Sequence, residues 1–228
     1  MSIDDRFRTG KTYTVRQAAD LAAVSPGTVR NWLYGSSAPS GYEMEPVFGT
    51  TKAKRPDQIA QLSFLELSEF IVAARFRKLR IKLPRIRAGH DYAKGKWGLE
   101  FPFAHLKLTS VGGHILREFE EADPAPGGRF VVLSSSDQYV LPGIIKNELE
   151  QFDYSEEDSF AERWYPFGRD VPAVVDPRFA GGKLTIRGRG VSVDIVSKRW
   201  RAGEKVASIA RDFQLSPPDI EAVLQHVA

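Results

Sequence analysis

The chain has no cysteine. Disulfides and thiolate metal sites are therefore excluded, and the composition fits a cytoplasmic protein. No run of about 18 apolar residues occurs, so neither a membrane-spanning helix nor a secretory apolar core is expected. Histidine is scarce: His90, His105, His114 and His226 are scattered without the spacing of a zinc site. No G-x-S-x-G elbow is present for a nucleophilic serine. Gly181-Gly182-Lys183-Leu184-Thr185 resembles a phosphate loop only in part. Pro177 stands where its first glycine should be, and Leu184 where a magnesium-binding hydroxyl should be. Glu156, Glu157 and Asp158 are adjacent, so they do not share one helix face as an acid–base pair would. These absences point away from an enzyme and from any cofactor.

What is present is a chain of 228 residues, long enough for one or two domains with a real core. Its net charge of +3 hides a partition. Residues 52–96 hold twelve lysines and arginines against four acids, an excess of +8. Residues 97–170 hold six basic residues against fourteen acids, an excess of −8. A basic block beside an acidic one suggests two different partners, unless both are only solvated faces.

The last quarter is the most organised stretch. Asp176-Pro177 starts a turn, Gly181-Gly182 leads into the β-favouring Leu184-Thr185-Ile186, and Arg187-Gly188-Arg189-Gly190 turns into Val191-Ser192-Val193. A small hairpin is expected there. Val206, Ile209, Ala210 and Phe213 follow at i, i+3, i+4, i+7, as do Ile220, Val223, Leu224 and Val227. Ser216 is placed to cap the second helix, with Pro217 as its first residue. This is a helix-turn-helix pattern, yet its second helix opens with Asp219 and Glu221, which would meet phosphates. Protein interaction is the expected role.

The pattern D-P-x-x-x-x-G-K-x-x-I-R-G-x-x-V-x-V starts at Asp176 and ends at Val193. The G-E-x-x-x-x-I-A-x-D-F-x-L-x-x-x-x-I-E-x-V-L tail runs from Gly203 to Leu224. Together they resemble a small bacterial domain of VapB-type antitoxins, whose toxins are PIN-domain ribonucleases. The family often has Thr where this chain has Arg189. The resemblance implies a PIN-domain toxin as partner. The candidate toxin-binding residues are Arg187 and Arg189 on the hairpin tip, and Glu156, Glu157 and Asp158 in the acidic block.

Near the N-terminus, residues 13–22 read as a helix, with Thr14 and Gln17 in capping-box spacing and Val15, Ala18, Ala19 and Ala22 as the buried stripe. Ser25 and Pro26 start a second helix that turns Val29, Trp32 and Leu33 inward. The pattern T-V-x-x-A-A-x-L-x-x-V-S-P-x-T-V-R-x-W-L, from Thr14 to Leu33, resembles the helix-turn-helix of MerR-type regulators and phage excisionases. That resemblance implies operator DNA as partner and a following basic wing. The candidate DNA-binding set is Arg16, Gln17, Ser25, Thr28, Arg30 and Asn31, with Lys52, Lys54 and Arg55 on a wing expected within residues 35–55, where Pro46-Val47-Phe48-Gly49 reads as strand-like.

Residues 63–80 form the strongest helical pattern, apolar on two faces, which predicts deep burial or sharing with a second subunit. Residues 97–170 mix strand-like runs at 129–134 and 138–142 with helical ones. The expected class is mainly α with small β elements. Its parts are a winged helix-turn-helix at 1–96, a mixed α/β acidic linking region at 97–170, and a hairpin with trihelical helix-turn-helix at 171–228. The expected protein is an antitoxin acting as a homodimer, with no membrane partner. The alternative is a stand-alone MerR-like regulator whose C-terminal half senses a ligand or dimerises.

Overall fold

Helix α4 (Phe64–Lys78) is the centre of the larger of two units. Ser63 caps it through the Glu66 amide, and Glu66 reaches back to the Ser63 amide at 2.6 Å, closing a capping box. Glu66 lies in its first turn and Arg75, Arg77 and Lys78 in its last, as the helix dipole favours. Phe64, Leu65, Leu67, Phe70, Ile71, Val72 and Phe76 are all buried, so the apolar faces of this helix are covered within one chain.

The computed structural model describes residues 3–37, 43–48, 61–124, 128–134 and 139–227. They open with α1 (Ile3–Thr9), where Asp5 pairs with Arg8. In the larger unit, β1 (Tyr13–Thr14) is followed by α2 (Val15–Ala22) and α3 (Pro26–Tyr34), a pair of short helices joined through Ala23 in the left-handed conformation. β2 (Ser36–Ser37) pairs antiparallel with β3 (Glu43–Met44), and β4 (Gln61–Leu62) returns to β1 in the register Tyr13↔Leu62. After α4 come α5 (Leu83–Trp97), α6 (Lys107–Ala122), the antiparallel pair β5 (Val132–Leu133) and β6 (Tyr139–Val140), and α7 (Gly143–Leu149).

An aromatic chain fills this core. Trp32 lies 5.5 Å from Phe70, Phe70 lies 5.1 Å from Phe48, and Phe76 lies 5.6 Å from Phe103 and 5.0 Å from Phe130. Such tilted and edge-on pairs add to the burial of each ring. The core therefore runs across residue 97. The larger unit takes in Thr9–Glu150 with Tyr154–Ala161.

The second unit comprises Met1–Arg8, Gln151–Asp153 and Glu162–Ala228. Its sheet uses β7 (Phe152–Tyr154), β8 (Ala161–Trp164), β9 (Ala173–Val175), β10 (Leu184–Ile186) and β11 (Val191–Ser192) in the order β11-β10-β9-β8-β7. β10 pairs antiparallel with both β9 and β11, the latter being the expected hairpin. Three helices follow: α8 (Val193–Arg201), α9 (Val206–Phe213) and α10 (Pro217–Val227). Ala173, Ile186, Val193, Val196, Ile209, Ala210, Ile220, Val223 and Leu224 form their common core. The stripes expected on α9 and α10 are inward. Of the expected trihelical unit only α9 and α10 had been located: Val193, read as the end of a strand, is the first residue of α8.

Candidate interaction surfaces

The N-terminal helix pair is set by its caps. Thr14 Oγ1 accepts from the Gln17 amide at 3.2 Å, while Gln17 Oε1 accepts from the Thr14 amide at 2.9 Å. Ser25 Oγ accepts from the Thr28 amide at 3.0 Å and bonds the Thr28 hydroxyl at 2.9 Å. Gln17, Ser25 and Thr28 thus already serve the helix starts. Arg16, Ser25 and Arg30 are exposed, and Gln17, Thr28 and Asn31 are half-buried. Val29, Trp32 and Leu33 point inward as expected.

Pro46-Val47-Phe48, read as strand-like, forms no strand. Val47 and Phe48 are buried, and their amides donate to the Trp32 carbonyl at 2.8 and 3.1 Å. They satisfy an open carbonyl near the end of α3 instead of starting a strand. The hairpin after α3 is β2–β3, reached through Gly35 at φ 72°. A β-carbon at Gly35 would lie 2.3 Å from the Met44 carbonyl oxygen, so this close approach requires glycine. Lys52, Lys54 and Arg55 lie outside the described residues.

Several members of both charge blocks are paired within the larger unit. Arg75 pairs with Glu148. Arg77 donates to the Ile81 carbonyl at 2.6 Å, Arg85 to those of Asp123 and Gly128, and Arg87 to Glu45. Lys96 pairs with Glu118 and Arg117 with Glu121, and Glu120 accepts from the Phe130 amide. Glu156, Glu157 and Asp158 form the turn between β7 and β8. The first two are exposed, while Asp158 accepts from the Phe160 amide at 3.1 Å.

Glu69 and His90 escaped the sequence reading, because residues 21 apart on different helices leave no local signal. Both are buried, with His90 Nε2 3.1 Å from Glu69 Oε1, which also accepts from the Phe103 amide at 3.1 Å. Burial opposes a charged imidazole. The Glu69 charge and the hydrogen bonds that His90 donates to Asp91 and Glu69 outweigh it and push His90 up to about 9.

In the second unit, Arg187 and Arg189 sit where expected, exposed on the β10–β11 tip, with Gly188 at φ 89° and Gly190 at φ 64°. Sequence reasoning gave Asp176 only a turn. The structure makes it a buried hub that accepts from the Arg178 amide at 3.0 Å, Arg178 Nη2 at 2.7 Å and Arg163 Nε at 3.0 Å. Arg178 also reaches Glu162, and Asp153 takes the Tyr165 hydroxyl at 2.7 Å and Arg169 at 2.8 Å. Burial works against the Asp176 carboxylate, but the Arg178 and Arg163 donors prevail and hold it below the usual carboxylate range. The D-P-R run was the available signal, since aspartate commonly bonds the backbone two residues on. A second network ties the helices: Arg199 binds Glu204 and Asp212 and lies 5.1 Å over the Phe213 ring.

Residues 174–226 match a family model described as a protein of unknown function, DUF433. This stretch runs from β9 into α10. A Mycobacterium tuberculosis (strain ATCC 25618 / H37Rv) protein named "Putative antitoxin VapB45" is 25% identical over 230 residues, covering 95% of this chain and 93% of that one. The crystal structure of Rv2018 from Mycobacterium tuberculosis superposes with a TM-score of 0.75 at 24% identity, covering 95% of this chain and 99% of the other. That likeness shows a shared fold across both units. Among the described residues, no helix is long and apolar enough to cross a membrane.

Proposed function

We propose that the chain is an antitoxin that binds and neutralises a PIN-domain ribonuclease and represses its own operon by binding operator DNA as a homodimer. The observation that carries this reading is the extent of the similarity to the protein named as an antitoxin: it spans 95% of the chain, not the C-terminal segment alone. In this reading α2 and α3 are a helix-turn-helix, and α3 offers Arg30 and Asn31 to base edges while Arg16 meets phosphate. The C-terminal unit holds the toxin, with Arg187 or Arg189 entering its carboxylate-lined site. The chain's own role is binding and not catalysis.

Two features of the molecule support this division. Asp219 and Glu221 place two carboxylates at the start of α10, which disfavours that helix as a DNA reader. The start of α3 carries no acid, and Arg30 on it is exposed. The test is co-expression with the small open reading frame adjacent to this chain's gene, followed by copurification and a ribonuclease assay. A stable complex with suppressed ribonuclease activity is expected. Operator binding by the chain with no such complex would favour a stand-alone regulator instead.

A further inference from the structure

Phe179 is the most exposed large apolar side chain among the described residues, at 54%. It is not on a frayed end. It lies in the loop between β9 and β10 whose first turn is pinned by Asp176 and Arg178. It also flanks the arginine tip, because a β-carbon at Gly190 would be 3.9 Å from both Cβ and Cδ1 of Phe179. Part of the positive charge of this unit is already paired. Arg163, Arg169, Arg178 and Arg199 all hold carboxylates. Lys183, Arg187 and Arg189 are exposed and make no side-chain hydrogen bond or ion pair among the described residues.

We infer that Phe179 is the apolar anchor of a docking tip, flanked by Arg187 and Arg189, and that its occupant is an acidic protein surface with an apolar notch. The inference rests on the antitoxin reading and makes the ribonuclease that occupant. Three facts combine in its favour. An aromatic ring held in water by a hydrogen-bonded turn is already in position to bind, so little ordering is required on association. Aromatic and arginine side chains are the types that concentrate binding energy at the centre of protein interfaces. Cations without internal partners complement acidic groups on the other side and steer encounter. A single-stranded nucleic acid would also accept a ring and cations, but it needs a continuous cationic track. Arg163, Arg169 and Arg178 of the same unit are neutralised by Asp153, Glu162 and Asp176, so they add no free charge to such a track.

The experiment uses the full-length chain, the PIN-domain ribonuclease proposed as its partner, and a labelled single-stranded oligouridine. Binding of each probe is measured for wild type and Phe179→Ala, with thermal melting as the fold control. The expected result is a melting curve like wild type and ribonuclease binding weakened by roughly 30-fold or more, mainly through faster dissociation. Wild-type binding with Phe179→Ala within about twofold of it would overturn the anchor while leaving the antitoxin reading intact. No binding by wild type would overturn both. Loss of oligouridine binding with ribonuclease affinity unchanged would assign the tip to nucleic acid and overturn the inference.

Discussion

At the scale of residues, Glu69 shows how one buried carboxylate can join three segments. It takes His90 from α5 and the Phe103 amide from the segment that follows, while His90 lies edge-on to Phe48 at 5.0 Å. Removing one partner of a buried pair typically costs about 3–5 kcal/mol, because the other charge is left uncompensated. The pH dependence follows from the raised value of His90. In the unfolded chain His90 titrates near 6.5, and in the folded one near 9. Its contribution is fully present below pH 6.5 and is lost as pH rises through about 9. Calorimetry on the wild type should show a falling melting temperature across that window. Glu69→Gln should lower stability by about 3 kcal/mol near neutrality and flatten the fall. Parallel pH profiles for the two proteins would contradict this account. At Arg30, loss of a base contact should cost about 1–3 kcal/mol on the specific operator, read by fluorescence anisotropy. Asp219→Ala with Glu221→Ala should leave that affinity unchanged, and an equal loss in both would remove α3 from the reading role.

At the scale of elements, the β2–β3 hairpin depends on one position. Gly35→Ala would push a β-carbon against the Met44 carbonyl and force a left-handed φ on alanine. The variant should lose about 1–3 kcal/mol of stability by chemical denaturation, and an unchanged denaturation midpoint would show that β3 yields without cost. What could be read in advance was local. Thr14 with Gln17 and Ser25 with Pro26 state the starts of α2 and α3, and the i, i+3, i+4, i+7 stripes state α9 and α10. The two apolar faces of α4 signalled its burial, and the glycines around Arg187 and Arg189 signalled the hairpin. What could not be read depends on distant partners. Pro46-Val47-Phe48 looks like a strand, but its amides bond the Trp32 carbonyl. Tyr13↔Leu62 pairing joins segments far apart in sequence, and only the folded core brings them together. Helix α8 was hidden for a different reason. Val193, Val196, Ser197 and Trp200 follow the helical period, but a serine holds an inward position and the preceding two-residue strand extends the β signal. At the candidate sites, the exposed arginines of the tip were legible, whereas the ring of Phe179 beside them was not.

At the scale of the whole molecule, the account assigns two binding tasks to two units. Operator binding should be strongly electrostatic. With roughly 6 phosphates neutralised per site, log affinity against log salt should slope by about −5. A flat dependence would exclude a phosphate-contacting interface of that size. In the proposed division toxin neutralisation belongs to the other unit, so the arginine tip there can be tested apart from the acidic turn of the larger unit. Replacing Arg187 and Arg189 should raise the dissociation rate of the complex, since buried carboxylates opposite them would lose their partners. Neutralising Glu156, Glu157 and Asp158 should at most lower the association rate, with an effect that shrinks as salt screens exposed charge over about 8–10 Å. The most direct measurement of the central claim is a titration of the purified PIN-domain ribonuclease with this chain, following cleavage of an RNA substrate. The account predicts that cleavage falls to background near stoichiometric addition and that the Arg187→Ala/Arg189→Ala variant needs excess protein to reach it. Full ribonuclease activity at saturating wild-type chain would contradict it.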